Sequence, residues 1–315
     1  MRLVRADRRP EGREPCGFSV WLPGAAITAA ILFCLVAWPG PAPAHSQDTQ
    51  VLAPEASAAK AREVIQRAIQ AMGGPAYLGV KDITRSGRYS TFEHNGSTRG
   101  TVRITDMVKL PDKERIEYTF KMYYGVDAPI PLIFVDIPYP LSKTKSSFEV
   151  HNGDEGWVLG QGGVIPLDAE ALTRNRRARK KDIHLLFRTR LNDPTLVFRY
   201  TGQEVVDLKW VDGVEITDAD RFTTRIAFDH STHLPIRSVF LYRDPDYDNQ
   251  PTEDHDSYSL YRPIQGVITA LQITHEHNGY QSSQTFYEEV KYNTGLDDSL
   301  FTRDSLDHIG SKHGR

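Results

Sequence analysis

The residues best placed to do chemistry are histidines and carboxylates. His275-Glu276-His277 separates two imidazoles by one residue. On a strand that spacing puts both rings on one face and makes them a candidate metal pair for a metal-dependent hydrolase. Zinc needs three or four ligands, and His-Glu-x-x-His is absent, so the competing reading is two surface histidines beside a turn. His230 and His233 lie in an earlier turn. Asp244, Asp246, Asp248, Glu253, Asp254 and Asp256 crowd one stretch. Their Asp-x-Asp-x-Asp spacing suits a calcium loop, but Asn249 stands where glycine is wanted and His255 where a bidentate Glu belongs. Gly160-Gln161-Gly162-Gly163 has no Lys-Ser/Thr after it, which excludes a phosphate loop, and no Gly-x-Ser-x-Gly occurs. Neither a cofactor nor an enzymatic activity is expected.

The elements that must position these groups are strands. Phe222, Thr224, Ile226 and Phe228 alternate with Thr223, Arg225, Ala227 and Asp229, a period of two. The chain then turns at 230–233, runs back over 234–242, crosses a polar loop, and continues over 258–264 and 267–277. Asn278-Gly279 suits a type I′ hairpin into a last strand over 280–292. Upstream, strands are predicted over 83–93 and 97–108 around Asn95-Gly96, then over 114–124. A hairpin over 148–158 turns at Asn152-Gly153. Strands at 196–200 and 205–211 follow, with Asp212-Gly213 turning the chain into 214–216. Ten to twelve antiparallel strands in one curved sheet or incomplete β-barrel are predicted, a mainly β fold. A helix over 57–72, apolar at Ala61, Val64, Ile65, Ala68, Ile69 and Met72, must lie on that sheet and ends at Gly73-Gly74-Pro75.

Two segments break the strand rhythm. Residues 126–141 are apolar but carry Pro129, Pro131, Pro138 and Pro140, which suits a loop or an edge. This stretch is either ordinary core or a lid. Residues 168–191 read as a second helix capped by Asp168, apolar at Ile183, Leu186, Phe187 and Leu191. Its first half carries Arg174, Arg176, Arg177, Arg179, Lys180 and Lys181, a solvated face or a contact for an anionic membrane surface. A meander has one face to bury, and a hydrophobic ligand is the expected guest. The candidate lining is Ile130, Leu132, Phe134, Ile137 and Tyr139 of the lid, with Trp157, Phe187, Phe228 and Phe240.

Composition agrees with a folded β protein. The chain has 315 residues, 25% charged, with formal net charge -3, which offers no argument for nucleic acid. Arg2, Arg5, Arg8, Arg9 and Arg13 precede the apolar run 24–38, and Ala42-Pro43-Ala44 supplies a cleavage site. Residues 1–44 are therefore predicted to be a signal peptide cut after Ala44, which implies a periplasmic, exported protein. The alternative is an uncleaved N-terminal anchor. Both cysteines, Cys16 and Cys34, precede the cut, so the mature chain has no disulfide. Residues 45–56 are predicted to be disordered, 57–302 to form the β domain, and 303–315 to be a polar tail.

Several stretches carry a resemblance. Lys109-Leu110-Pro111-Asp112-Lys113-Glu114-Arg115 resembles the turn, and Asn152-Gly153-Asp154-Glu155-Gly156-Trp157 the hairpin, of exported lipoprotein-sorting proteins. Residues 229–237, with Leu234-Pro235, and 292–301 resemble two further motifs of theirs. Together these are similar to the LolA-like superfamily of periplasmic lipoprotein carriers. The resemblance implies an incomplete antiparallel barrel with helices over its open side. It also implies a concave face that holds lipid or lipoprotein acyl chains without catalysis. A non-catalytic envelope sensor, like RseB, fits the same motifs. No nucleic-acid partner is expected, and a monomer is.

Overall fold

The computed structural model describes residues 52–123, 142–160, 163–244 and 249–313. All belong to the compact unit Thr49–Arg315. Residues 1–44, read from sequence as a signal peptide, the apolar stretch 126–141 with Ile130, Leu132, Phe134, Ile137 and Tyr139, and Asp246 and Asp248 lie outside the described residues.

Among the described residues, 13 strands form one sheet. The first half of the chain supplies β1 (Asp82–Phe92), β2 (Thr98–Lys109), β3 (Lys113–Tyr123), β4 (Ser142–Asn152), β5 (Glu155–Gly160) and β6 (Gly163–Pro166). The second half supplies β7 (Val197–Val206), β8 (Lys209–Thr217), β9 (Thr223–Asp229), β10 (Pro235–Asp244), β11 (Gln250–Ile264), β12 (Val267–His277) and β13 (Tyr280–Tyr292). Each half is a meander. Antiparallel pairing of β1 with β13 joins them, giving the order β6-β5-β4-β3-β2-β1-β13-β12-β11-β10-β9-β8-β7. The sheet is open, with β6 and β7 at its free edges. The predicted mainly β, single antiparallel sheet is what the chain forms, with one strand more than the upper count.

Local chemistry explains most turns. Asn278 and Gly279 have φ of 49° and 81°, the two positive values that a two-residue type I′ turn requires. Asp212-Gly213 is a correction: it does not turn but lies inside β8, paired with Gln203 and Gly202. A Cβ on Gly213 would stand 2.1 Å from Thr201 Oγ1, so glycine is there for close approach across the strands. The turn occurs earlier, at Asp207 and Leu208, both at positive φ. The polar loop after β10 is also shorter than predicted, because β11 already begins at Gln250.

Helix α1 (Pro54–Ala71) opens with proline at its first turn and starts inside the stretch read as disordered. Its predicted face is the buried one: Ala61, Val64, Ile65, Ala68 and Ile69. Each fully buried isoleucine there is worth roughly 1.5–3 kcal/mol. A short helix, α2 (Pro75–Leu78), follows.

The predicted second helix is two. Asp168 caps α3 (Ala169–Lys181) by accepting from Ala171 N at 2.7 Å. Asp182 then ends α3 and caps α4 (Ile183–Leu185) through the amides of His184 and Leu185. A π turn, Leu186–Arg190, continues α4. In sequence, α3 and α4 carry the chain from one free edge of the sheet to the other.

Facing pairs in an antiparallel sheet share a face. The row Phe198–Ile216–Thr224–Phe240–Asp254–His277, followed through successive pairs, therefore marks one face, here called inner. The faces of α1 and α4 pack on it, against Phe198, Val214, Ile226, Phe228 and Tyr258. A second core lies on the outer face at the other end. Phe148, Val150, Trp157 and Leu159 pack there against Phe301 and Leu306. Leu306 belongs to α5 (Arg303–His313), so the stretch read as a polar tail is a helix with a buried apolar anchor.

Candidate functional site

A cavity of about 260 Å³ lies at the inner face between β1, β2, β3, β12 and β13 and the helices α2, α3 and α4. Strand alternation supplies its apolar wall: Ile83, Val108, Ile273, Tyr287 and Val290. Arg85, Glu114, Lys181, Asp182, His184 and Asp256 bring polar groups to the same space.

Those polar groups are organised. Arg85 Nε lies 2.6 Å from Asp106 Oδ2, and its guanidinium stacks over the Tyr287 ring at 4.7 Å. Burial works against the charge of Arg85, but Asp106 outweighs it and holds the guanidinium above its ordinary range. The other Asp106 oxygen is buried and has no partner among the described residues. Glu114 stands in this field. Burial first, and the Asp106 charge second, push its carboxyl up to about 8, so it is neutral at pH 7. Burial pushes His184 down to about 4, and its neutral ring bonds Tyr77 Oη at 2.9 Å. The site thus presents a neutral acid, a neutral imidazole and a paired arginine beside an apolar wall. That set can orient a polar group by hydrogen bonds.

The histidine pair is committed elsewhere. His275 Nδ1 bonds Asp256 Oδ1 at 2.7 Å and His277 Nδ1 bonds Asp254 Oδ1 at 2.8 Å, each directly across the β11–β12 pair. Lys181 completes the network, 3.2 Å from His275 and 3.6 Å from Asp254. Burial alone would raise Asp256, but His275 and Lys181 hold it below the usual carboxylate range. Among the described residues, no group of three or more His, Cys, Asp or Glu is arranged to hold a metal ion. Asp244, Glu253, Asp254 and Asp256 stand on paired strands, not in the flexible loop that a calcium site needs. His230, in the β9–β10 turn, bonds Asp212 at 2.8 Å.

The basic run of α3 mostly turns onto the protein. Arg177 pairs with Asp244 at 3.1 Å and stacks over Tyr242. Arg179 donates to the Asp112 carbonyl at 3.3 Å. Lys180 pairs with Asp218 at 3.3 Å and with Asp220. Arg174 and Arg176 remain largely exposed. The predicted membrane-facing row is therefore chiefly a strap across the sheet, because Asp244, the Asp218–Asp220 turn and the Asp112 carbonyl lie opposite the inward cations.

Of the predicted lining, Trp157, Phe187, Phe228 and Phe240 are all described, and none lines the cavity. Phe187 stacks on Phe228 inside the main core, Phe240 stacks on Phe222, and Trp157 faces the outer core. The protein's own helices fill the greasier half of the inner face, so the hollow falls where the sheet is more polar. Tyr77, Arg85, Val108, Glu114 and His184 were not singled out from sequence. Their usable signal was the strand alternation of β1–β3 combined with the position of α4, which sequence spacing does not give.

No family model matches the sequence, and no curated protein does. Solved structures do match. A DUF1329 family protein from Desulfovibrio piger aligns with TM-score 0.51 and 14% identity, over 78% of this chain and 98% of that one. A LolA superfamily protein from Nitrosomonas europaea aligns with TM-score 0.48 and 14% identity, over 78% and 99%. A domain from Vibrio parahaemolyticus named for outer-membrane lipoprotein sorting aligns with TM-score 0.47 and 13% identity, over 79% and 99%. The chain shares the fold of the Desulfovibrio piger DUF1329 family protein and matches LolA-superfamily and lipoprotein-sorting structures at low sequence identity.

Proposed function

We propose that this protein is an exported, non-catalytic carrier that binds an amphipathic, lipid-like ligand in the cavity under α3 and α4. The observation that carries the reading is the cavity itself, which sets apolar strand residues such as Ile83, Val108, Ile273 and Val290 beside polar groups at Arg85, Glu114 and His184. The motifs that resemble the LolA-like superfamily imply the same class of ligand. At about 260 Å³ the hollow lies just under the usual range for small-molecule pockets, roughly 300–1,000 Å³. It suits a short acyl segment with a polar group and not a whole lipid. Burying six CH₂ groups gives about 5 kcal/mol, between millimolar and micromolar before association costs. A whole acyl chain requires the helical cover to move.

The test combines native mass spectrometry for co-purifying lipid with displacement of a fluorescent fatty acid. Val108→Trp would fill the hollow from β2. Binding is expected to weaken at least about tenfold, the loss of roughly two buried CH₂ contacts. The melting temperature should stay close to wild type. A wild-type protein that takes up no acyl probe, or a Val108→Trp variant that binds it unchanged, overturns the assignment.

A further inference from the structure

The β7–β8 hairpin ends in a group of apolar side chains that the fold does not use. Leu208 is 98% exposed, Trp210 58% and Val205 56%. Val205 and Trp210 face each other across the hairpin, and Leu208 is at its turn. Pairing of β8 with β9 ends at Val211, so 205–210 project beyond the neighbouring strand; a bond from His230 N to Trp210 O and the ion pairs of Asp207 with Arg237 at 3.2 Å and of Lys209 with Asp229 at 3.8 Å tie the hairpin back, and none of them uses the apolar side chains. Asp207 and Leu208 occupy the two central turn positions with φ of 49° and 63°, where Asn-Gly is the ordinary choice. A leucine held in the left-handed region without packing has no folding rationale, and such strain marks functional sites. The tip also carries Lys209, more than half exposed.

We infer that this hairpin tip is a membrane-contact element that seats Leu208 and Trp210 at the headgroup–acyl boundary of a lipid bilayer. The composition fits that boundary: a tryptophan with one apolar and one polar end, an aliphatic point, and a lysine whose stem can lie along the surface. Area selects a bilayer over a protein partner. Three side chains expose roughly a few hundred Å², whereas a stable protein interface needs about 800 Å² from each side. A narrow point can enter a deformable surface without a complementary pocket. The inference does not depend on the cavity binding lipid.

The test uses the full chain with Trp21 and Trp38 replaced by phenylalanine, so that vesicle-dependent emission reports on Trp210 over a constant Trp157 signal. Vesicles of phosphatidylethanolamine and phosphatidylglycerol with brominated acyl chains are expected to quench Trp210. In Leu208→Asp the ratio of inserted to free tip should fall about tenfold. Leu208→Gly removes the same apolar surface while relaxing the turn. It should lose insertion with an unchanged or higher melting temperature, which separates contact from folding. Quenching that is equal in wild type and both variants overturns the inference. So does a change in self-association, by sedimentation, in place of a change in vesicle insertion. Acyl-probe binding in the cavity should be unaffected by either variant, so this outcome and that of the carrier test are read separately.

Discussion

Glu114 meets the cavity in the combined field of Asp106 and Arg85, and its charge state is set by that position. Its carboxyl rises from about 4.5 to about 8, with burial as the largest cause. A carboxyl whose folded value is raised contributes stability that is complete below about 4.5 and is lost as pH climbs through about 8. Glu114→Gln cannot ionise. Its melting temperature should therefore lose less than wild type between pH 5 and pH 9, with the variant relatively more stable at the alkaline end. Parallel curves for the two proteins would show that Glu114 is not held neutral. Glu114 keeps partial solvent contact, which limits the size of the gap. His184 works in another window: its folded value is depressed to about 4, so its contribution is lost as pH falls from about 6.5 towards 4.

Helix α3 is held differently from α1. It buries no residue, whereas α1 buries Val64, Ile65 and Ile69 under the sheet edge. What holds α3 is a set of ion pairs: Arg177 with Asp244, Lys180 with Asp218 and Lys181 with Asp254. These pairs are partly buried, so salt screens them less than exposed pairs, but the Debye length still falls from about 10 Å at 0.1 M to about 3 Å at 1 M. Amide exchange over 170–181 should therefore accelerate between 0.1 M and 1 M NaCl, while exchange over 61–69 should not. Equal protection of both helices in high salt would mean that packing, not charge, fixes α3. Such a strap is the natural cover to shift when a longer guest enters, since apolar burial does not anchor it.

At the scale of the whole molecule, two meanders close on each other through β1 and β13 and leave two free edges bridged in sequence by α3 and α4. The proposed function includes export. The chain recovered from the extracytoplasmic fraction should begin at His45, as N-terminal sequencing would show. A full-length chain beginning at Met1 in that fraction would favour the anchored alternative. No helix among the described residues is long and apolar enough to cross a membrane.

The sequence alone determined what local rules govern. Period-two alternation located most strands, Asn278-Gly279 located a hairpin, and the apolar stripe from Ala61 to Ile69 located the buried face of α1, because each signal lies within a few adjacent residues. Asp207-Leu208 escaped it, since leucine at the second turn position disfavours the left-handed region, and Asp212-Gly213 misled it, since glycine serves close approach as readily as turning. Tertiary structure alone decided which apolar face its own helices would fill and which would stay hollow. Phe187 and Phe228 went to the core and Trp157 to the outer face, while Arg85, Val108, Glu114 and His184, far apart in the chain, came to line one space. That outcome depends on how strands from both ends of the chain pair and on where α4 docks. These are long-range choices that no window of neighbouring residues encodes.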